Sequence, residues 1–455
     1  MIQNPILKQK YPAKAHCRKL AAYLKEQSLS TDGIVYLEGG KSELHEDCDQ
    51  EGPFRQRRNF YYLSGVQLPD CSLVYNLDAD YLTLFLPPVD PDDVVWSGTP
   101  TTPEQALQRY DIDAVETTSN AAAFLSSSAV PKGSVYAIPH RISKNITFLP
   151  FSNVDLEHLD SALGDCRIVK DEYELALLRY ANAVTTEAHT ACQKLVTGDH
   201  KPTREEDFLS AFTAERLRNG CYHEAYSGIF ASGTNASTLH YVHNNQPLSG
   251  RLNILIDAGA EYHCYAADVT RTFPLSGKFS TESAAIYKIV QDMQDAAFAL
   301  CRAGMTWDDV HSETHRVAIR GLLHLGILRC GTEQEIFDSR ASTAFFPHGL
   351  GHYMGMDTHD TGGRANYADK DPMFRYLRVR GKVPAGAVIT VEPGIYFCRF
   401  ILEPAIKDTQ GVGRFIDADV VERYWEVGGV RIEDDIVITE KGYENLTTAP
   451  KGLGL

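Results

Sequence analysis

The sequence lacks three features that would place the protein in a membrane or in an oxidising compartment. It has no apolar run near the roughly 20 residues that a membrane-spanning helix requires. Its ten cysteines are scattered without CxxC pairs, which indicates reduced, structural thiols. Residues 1–5, MIQNP, do not show the charged and then apolar pattern of a secretion signal. We therefore expect a cytoplasmic protein with no membrane partner.

Positive charge is also scarce. Lysine and arginine total 44 against 60 aspartate and glutamate residues, so the formal net charge is −16. A surface of that sign repels nucleic acids and anionic membranes, and neither is expected as a partner. Part of the acidic excess stands at chemically informative positions.

The length predicts two domains, because 455 residues exceed the size of one ordinary domain. Residues 11–165 alternate β-rich runs with helical stretches such as Ala13–Glu26, which predicts an α/β domain over residues 1–165. A long amphipathic helix is predicted over Asp171–Val196, with acidic residues in its first turn, and it opens a second domain over residues 166–455. Further helices are expected at Arg204–Asn219, Thr281–Arg302 and Trp307–Leu325.

Candidate metal ligands lie in the C-terminal half of the chain, at Asp257, Asp268, His352, Glu392 and Glu433. Carboxylates and one imidazole, without a thiolate, form an oxygen-rich set that suits hard or borderline divalent ions. Such a set carries too much negative charge for one ion that must also bind a substrate. It suits two ions that share bridging carboxylates and a water molecule, which is an arrangement of hydrolases.

The carboxylates stand where β-rich runs stop or start. Leu252–Asp257 and Asp268–Phe273 are predicted to be adjacent antiparallel strands, joined by a turn region over residues 259–263. Because side chains alternate along a strand, Asp268 and Thr270 are expected to share one face.

The same alternation places Arg431 and Glu433 on one face, and Glu392 ends a strand before Pro393 and Gly394. Taken singly, an Asp at a strand end is usually a turn former, and a lone His is more often packed than ligated. Taken together, converging buried carboxylates are costly unless cations neutralise them. Metal ions are the simplest source of that charge.

The segments around these residues resemble the metal-dependent proline peptidases of the pita-bread fold (M24 type), which include aminopeptidase P and prolidase and, more distantly, methionine aminopeptidase. The resemblance implies a mixed α/β chain, with a creatinase-like N-terminal α/β domain followed by a pita-bread catalytic domain. The matching segments are SGIFASGTNASTLHY (227–241), LIDAGAEYHCYAADVTRTFP (255–274), FPHGLGHYMGMDTHD (346–360), TVEPGIYF (390–397) and GGVRIEDDIVIT (428–439).

The resemblance also implies a role for each ligand. Asp257 would hold one divalent ion, and His352 and Glu392 would hold the other. Asp268 and Glu433 would bridge two ions, expected to be Mn²⁺. Glu392 would also handle the proton of the attacking water.

Further residues match the family's substrate site. His348 and His359 would position the peptide and stabilise the tetrahedral intermediate, as imidazoles near a developing oxyanion can do. His240 would line the substrate pocket, and Tyr226 and Arg431 would lie near the metal ions. For His240 and His359, the alternative is a histidine that is simply packed and hydrogen-bonded.

Arg378 distinguishes the close relatives. Prolidases resemble this chain in having an arginine here, fourteen residues before Glu392, which suits a grip on the C-terminal carboxylate of a dipeptide. Residues 398–427 also look like a prolidase insertion. The sequence therefore favours an Xaa-Pro dipeptidase. The alternatives are an Xaa-Pro aminopeptidase acting on longer peptides, with Arg378 as a surface charge, and, more remotely, a methionine aminopeptidase or a metal-free relative.

The expected partners are a small peptide substrate and a second copy of the chain. Relatives are commonly dimers, and Trp96 resembles a tryptophan that prolidases present toward the active site of the partner. A large aromatic side chain is a plausible wall for a proline ring. The alternative for Trp96 is an ordinary core or surface position.

Overall fold

A computed structural model describes residues 4–128, 130–199 and 201–452 of the chain. The chain divides into two compact units between Arg167 and Ile168. The domain boundary predicted near Asp165 falls within a helix, Leu159–Ile168. Each unit is described separately below.

The first unit is an α/β domain. Its helices are α1 Ala13–Glu26, α2 Arg58–Ser64, α3 Val94–Ser97, α4 Pro103–Arg109, α5 Ala121–Ser126 and α6 Leu159–Ile168. Its strands are β1 Gly33–Glu38, β2 Ser72–Asn76, β3 Tyr81–Leu86, β4 Ala114–Thr117, β5 Ser134–Tyr136 and β6 Asn153–Asp155.

These strands form one sheet in the order β4-β3-β2-β1-β5-β6. Strand β2 runs antiparallel to both its neighbours, whereas β1 with β5, β5 with β6 and β3 with β4 are parallel. One face of the sheet buries Tyr36, Val74 and Phe85 against Leu125 of α5. Helix α4 begins with a capping box, in which Thr102 and Gln105 satisfy each other's backbone amides.

The second unit contains more helix. Its helices are α7 Glu172–Thr197, α8 Glu205–Arg218, α9 Thr281–Leu300, α10 Trp307–His324, α11 Glu333–Ser339, α12 Arg399–Lys407 and α13 Ala418–Val421. Its strands are β7 His223–Glu224, β8 Ile229–Ser232, β9 Asn253–Asp257, β10 Ala260–Tyr262, β11 Tyr265–Ala266, β12 Thr270–Pro274, β13 Val388–Val391, β14 Gly394–Tyr396, β15 Gly429–Arg431, β16 Asp434–Ile438 and β17 Tyr443–Asn445.

The long helices of this unit begin and end close to the positions that the sequence predicts. Helix α7 starts with a capping box between Asp171 and Glu174. Helices α9 and α10 pack together in an apolar core that includes Ile286, Val290 and Ile319. Within the part of the chain that the structure describes, no helix is both long and apolar enough to cross a membrane.

Short antiparallel strand pairs carry the candidate ligands. Strand β9 pairs with β12, with Asp257 opposite Thr270. Strand β13 pairs with β16, and β14 pairs with β15. Glu433 lies between β15 and β16 and forms an isolated bridge with Thr270. The β9–β12 pair therefore meets the segment between β15 and β16 at Thr270 and Glu433.

The predicted connection between the first two ligands is wrong in detail. Asp268 precedes β12 rather than starting it, and the intervening chain forms the small β10–β11 hairpin. The turn of this hairpin lies at His263 and Cys264, which have φ values of 46° and 65°. Gly259 instead packs against the backbone of Ala267, where a Cβ atom would lie 1.7 Å from the carbonyl oxygen.

Candidate metal centre

One cavity in the second unit, of about 670 Å³, gathers every site residue named from the sequence. Apolar side chains such as Ile229, Leu239 and Ile401 form part of its wall. The predicted site residues that line it are Tyr226, His240, Asp257, Asp268, His348, His352, His359, Arg378, Glu392, Arg431 and Glu433.

The candidate metal ligands lie close together among these cavity-lining residues. Single ligand atoms of Asp268, His352 and Glu433 lie within 4.8 Å of one another. The Nε2 atom of His352 lies 3.4 Å from Oδ2 of Asp268 and 3.5 Å from Oε1 of Glu392. Asp257, the last residue of β9, lies next to them.

Hydrogen bonds orient the His352 ring toward the carboxylates. Its Nδ1 atom lies 3.1 Å from the carbonyl oxygen of Tyr353, which can only accept, so Nδ1 carries the proton. The backbone amide of His352 donates to Oγ1 of Thr390 at 3.0 Å. Nε2 is therefore the nitrogen directed into the cluster, as in histidines that bind metal ions.

Crowding of buried carboxylates changes their protonation. Burial raises the pKa of Glu392 to about 7, and Asp268 and Asp257 add to that effect. Burial also raises the pKa of Glu433 well above its ordinary value, with Asp268 and Glu392 contributing. Such a cluster has more buried negative charge than positive charge, and divalent cations would supply the difference.

The remaining three ligands are held by opposite charge. Burial works to raise the pKa of Asp268, but the hydrogen bond from His352 prevails and lowers it. Burial works to lower the pKa of His352, but Asp268 and Glu392 raise it to about 8. Burial raises the pKa of Asp257, and Arg431 opposes the rise. The donor set therefore fits divalent metal ions.

Neighbouring polar side chains hold the carboxylates in place. The hydroxyl of Tyr226 lies 2.6 Å from Oδ1 of Asp257 and 2.5 Å from Oδ1 of Asp268. Arg431 donates to Oδ2 of Asp257. Arg431 also donates to Oγ1 of Thr270 at 3.1 Å, and Thr270 in turn donates to Oε2 of Glu433 at 2.6 Å. Thr270 thus connects the β9–β12 pair to the segment that carries Glu433. The sequence analysis had indicated Thr270 only by placing it on the same strand face as Asp268.

Tyr396 is a site residue that the sequence analysis missed. Its hydroxyl accepts a hydrogen bond from Nη1 of Arg431 at 2.9 Å and lies 2.8 Å from Nε2 of His348. Nδ1 of His348 lies 2.8 Å from the carbonyl oxygen of Gly349, so Nδ1 carries the proton and Nε2 accepts from Tyr396. Burial lowers the pKa of His348 to about 3, which keeps this imidazole neutral.

The other substrate-site candidates lie farther toward solvent. The ring of His359 meets that of His352 edge-on, with 4.4 Å between ring centroids. His240 is exposed where it lines the cavity. Arg378 is half-buried, and its Nη1 donates to the hydroxyl of Tyr367 at 3.0 Å.

Trp96 lies in the first unit, on the short helix α3. Its side chain is 84% exposed, so it is not a core residue of this chain. The expected role toward a partner subunit stays a prediction.

A water-accessible cavity with buried carboxylates, an oriented imidazole and neutral histidines defines a metal-dependent hydrolase site. Comparison with known proteins gives the same class. Residues 176–440 match metallopeptidase family M24, and residues 15–136 match the aminopeptidase P N-terminal domain.

Similar proteins match almost the whole chain. A probable Xaa-Pro aminopeptidase pepP of Talaromyces stipitatus is 55% identical, over 98% of this chain and 96% of its own. One of Ajellomyces capsulatus is 54% identical over the same shares. The structure of Pseudomonas aeruginosa aminopeptidase PepP is 29% identical, with a TM-score of 0.81 and coverage of 98% of this chain and 97% of that one. Escherichia coli aminopeptidase P in complex with substrate is 27% identical, with a TM-score of 0.80 and the same coverage.

The chain therefore belongs to metallopeptidase family M24, as a metal-dependent proline peptidase of the aminopeptidase P type. The predicted enzyme class and the predicted mixed α/β fold, with its two kinds of domain, are confirmed. The named relatives are Xaa-Pro aminopeptidases. The sequence analysis favoured a prolidase and gave the Xaa-Pro aminopeptidase as the alternative, and the relatives support that alternative.

Proposed function

We propose that the protein is an Xaa-Pro aminopeptidase, which removes the N-terminal residue from peptides whose second residue is proline. The convergence of the carboxylates, His352 and the neutral His348 in one cavity carries this proposal. The names of the similar proteins support the substrate class.

We assign the metal site to two divalent ions, with Mn²⁺ as the expected metal. Asp257 would hold one ion, and His352 and Glu392 would hold the other. Asp268 and Glu433 would contact both. The excess of buried carboxylate over positive charge supports two ions rather than one. When bound, such ions polarise the scissile carbonyl and make water a better nucleophile at neutral pH.

The protein residues then handle the proton and the substrate. Glu392 accepts the proton of the attacking water, since its carboxylate lies at the cluster and also faces His348, whose Nδ1 is 3.8 Å from Oε2. Tyr396 donates to the imidazole of His348 and fixes its orientation. His348 and His359 stabilise the tetrahedral intermediate, and His240 and Tyr226 line the substrate path.

The second candidate is the dipeptidase, and Arg378 is the observation that favours it. Its guanidinium lines the same cavity as the ligands and donates to Tyr367, with further donors left for a carboxylate. A dipeptide would place its C-terminal carboxylate near this cation. A longer peptide would place a neutral amide there.

We also propose the domain limits 1–165 and 166–455, and a cytoplasmic homodimer. The cysteines support a reducing compartment, since all ten are free. The strongly exposed Trp96 supports a contact outside its own chain. A fully active monomer at micromolar concentration would contradict the dimer.

Substrate length decides between the two candidates. Purified protein loaded with Mn²⁺ is given an Xaa-Pro dipeptide, the matching Xaa-Pro-Yaa tripeptide and an Xaa-Ala-Yaa control. We expect the tripeptide to be cleaved at least as well as the dipeptide, the control hardly at all, and chelation to abolish activity. Cleavage of the dipeptide alone would make the protein a prolidase.

A further inference from the structure

A buried ion pair lies directly behind the segment that carries His359. The Nζ atom of Lys170 is 3.2 Å from Oδ2 of Asp360, and each side chain is only 1% exposed. Nζ also donates to the carbonyl oxygen of Ile168 at 3.3 Å. Asp360 follows His359 in the chain, so the pair holds the residue next to a proposed catalytic group.

Burying such a pair is costly, because both charges lose their hydration. The attraction between them offsets that loss only when the geometry is good, so a buried pair contributes little net stability. Its removal by a single substitution is nevertheless damaging, because one charge is left without its partner. A buried pair is therefore better explained by the geometry that it fixes than by the stability that it adds.

Both members of the pair are anchored to the framework of the metal centre. The backbone amide of Lys170 donates to the carbonyl oxygen of Gly386 at 2.9 Å, just before β13, the strand that leads to Glu392. The backbone amide of Asp360 donates to the carbonyl oxygen of Tyr353 at 2.8 Å, next to His352. The pair thus joins the His359 segment to the two segments that carry ligands.

The ion pair is packed so closely against Gly355 that this position has no room for a side chain. A Cβ atom at Gly355 would lie 2.4 Å from Oδ2 of Asp360 and 2.8 Å from Cε of Lys170. Residues 355–359 form bends, so His359 is not held in a helix or a strand. The ring itself stands exposed in the cavity, against His352.

We propose that Lys170 and Asp360 are positioning residues, which hold the His359 imidazole at the place where the substrate reacts. This inference rests on the proposed function, since it requires that His359 contributes to turnover. Asp360 anchors the backbone on the buried side, while His359 projects from the neighbouring position into the cavity. Loss of the pair would let the imidazole move without removing it.

The test is a double-mutant cycle between Asp360→Asn and His359→Ala, with kcat, KM and metal content measured for each protein with Mn²⁺. We expect Asp360→Asn to lower kcat roughly 10–100-fold, because small displacements of a catalytic group cost that much, while KM and metal content change little. In the His359→Ala background the same substitution should have almost no further effect. Faster hydrogen exchange of residues 353–363 in Asp360→Asn should accompany the loss, in metal-free protein too.

Other outcomes overturn the inference. Wild-type kcat in Asp360→Asn would do so, and so would an equal loss of kcat in both backgrounds or loss of the metal ions. If His359→Ala alone keeps full activity, the assigned role of His359 in the proposed function fails, and the inference fails with it. The cycle separates these cases.

A second variant guards against misfolding. Lys170→Met combined with Asp360→Asn removes both charges of the pair, so neither is left buried without the other, and the same loss of kcat is expected. Full activity of this double variant would also overturn the inference. Glu444→Gln is the matched control, because it breaks the exposed Arg179–Glu444 pair of 2.8 Å in the same unit and should leave kcat unchanged.

Discussion

At the scale of single residues, protonation separates the histidines of the cavity. Burial lowers the pKa of His348 to about 3, whereas the carboxylates beside His352 raise its pKa to about 8. A neutral imidazole whose one nitrogen accepts from Tyr396 is oriented for work on the substrate. An imidazole surrounded by carboxylates is suited to a metal ion. The two histidines are four residues apart in the sequence, yet His348 is suited to the substrate and His352 to a metal ion.

His348→Ala and His359→Ala should each lower kcat on the order of 10²–10³-fold, because each removes an electrostatic stabiliser of the transition state. Metal content should stay near that of the wild type, since neither is a proposed ligand. Steady-state kinetics and elemental analysis of the purified variants measure both quantities. His324→Ala, at the exposed end of α10, is the control. Loss of metal together with activity would contradict the assignment.

Under the second candidate, the dipeptidase, Arg378→Ala should act on dipeptides and spare longer peptides. A guanidinium that pairs with the terminal carboxylate of Xaa-Pro contributes a charged hydrogen bond of about 1.5–3 kcal/mol. Its removal should therefore lower kcat/KM for the dipeptide about 10–100-fold, at roughly 1.4 kcal/mol for each factor of ten. The measurement is the ratio of kcat/KM for the dipeptide to kcat/KM for the tripeptide, in the wild type and in the variant. An equal effect on both lengths would place Arg378 outside the substrate's C-terminal site.

At the scale of elements, the ligands depend on how closely the His352 segment lies against β13. A Cβ atom at Gly351 would lie 1.9 Å from the carbonyl oxygen of Thr390. The amide of Thr390 donates to the carbonyl oxygen of His352 at 3.0 Å. Any side chain at position 351 must therefore push the His352 segment away from the strand.

Gly351→Ala should lower metal affinity and destabilise the fold by ~1–3 kcal/mol, which is typical of overpacking. The melting temperature and a metal titration measure the two effects. Gly442→Ala is the matched control, because a Cβ atom there meets nothing within 4 Å. If the Gly351→Ala protein binds metal like the wild type, the His352 segment can move away from β13 without disturbing the ligands, and the prediction is wrong.

Local signals explain which elements the sequence could predict. The capping box at Asp171 and Glu174 and the apolar periodicity mark α7 to within one residue at each end. The β10–β11 hairpin was not predictable, because its strands are only two or three residues long and its turn uses His263 and Cys264 rather than glycine. No local pattern requires positive φ at such residues.

Site residues that lie in recognisable sequence motifs could be predicted. Site residues whose function comes only from hydrogen bonds in the folded chain could not. The acidic strand ends and the His352 segment carry recognisable neighbours. Tyr396 and Thr390 lie within the matching segment at 390–397, but nothing in that segment distinguishes them from ordinary members of a β-rich run. Their functions come from His348 and His352, which are distant in sequence, so only the folded chain identifies them.

At the scale of the whole molecule, the acidic cluster links stability to pH and metal. The pKa of Glu392 rises to about 7 in the folded, metal-free protein, from about 4.3 when unfolded. A carboxyl with a raised pKa contributes stability that is complete below the unfolded pKa and is lost as pH rises through the folded pKa. The pKa of Glu433 shifts in the same direction.

The metal-free protein should therefore lose stability between about pH 5 and 8, as Glu392 and Glu433 are forced to ionise together. Divalent ions bind the ionised carboxylates, so the rise in melting temperature on adding Mn²⁺ should be larger at pH 8 than at pH 6. Thermal unfolding with chelator and with Mn²⁺ at both pH values measures this difference. Glu392→Gln should reduce it, and an increment that does not change with pH would contradict the prediction.

The proposed ligands are spread from Asp257 to Glu433, and the last of them lies beside the strand of Thr270, with which it forms a bridge. The last ligand lies 176 residues after the first, so the ribosome must synthesise that whole stretch before the ligand set is complete. A partly synthesised chain can offer isolated carboxylates but no complete coordination sphere. Metal loading is thus a late event in the life of the nascent polypeptide, and a chain cut short before Glu433 would compete poorly for the ion.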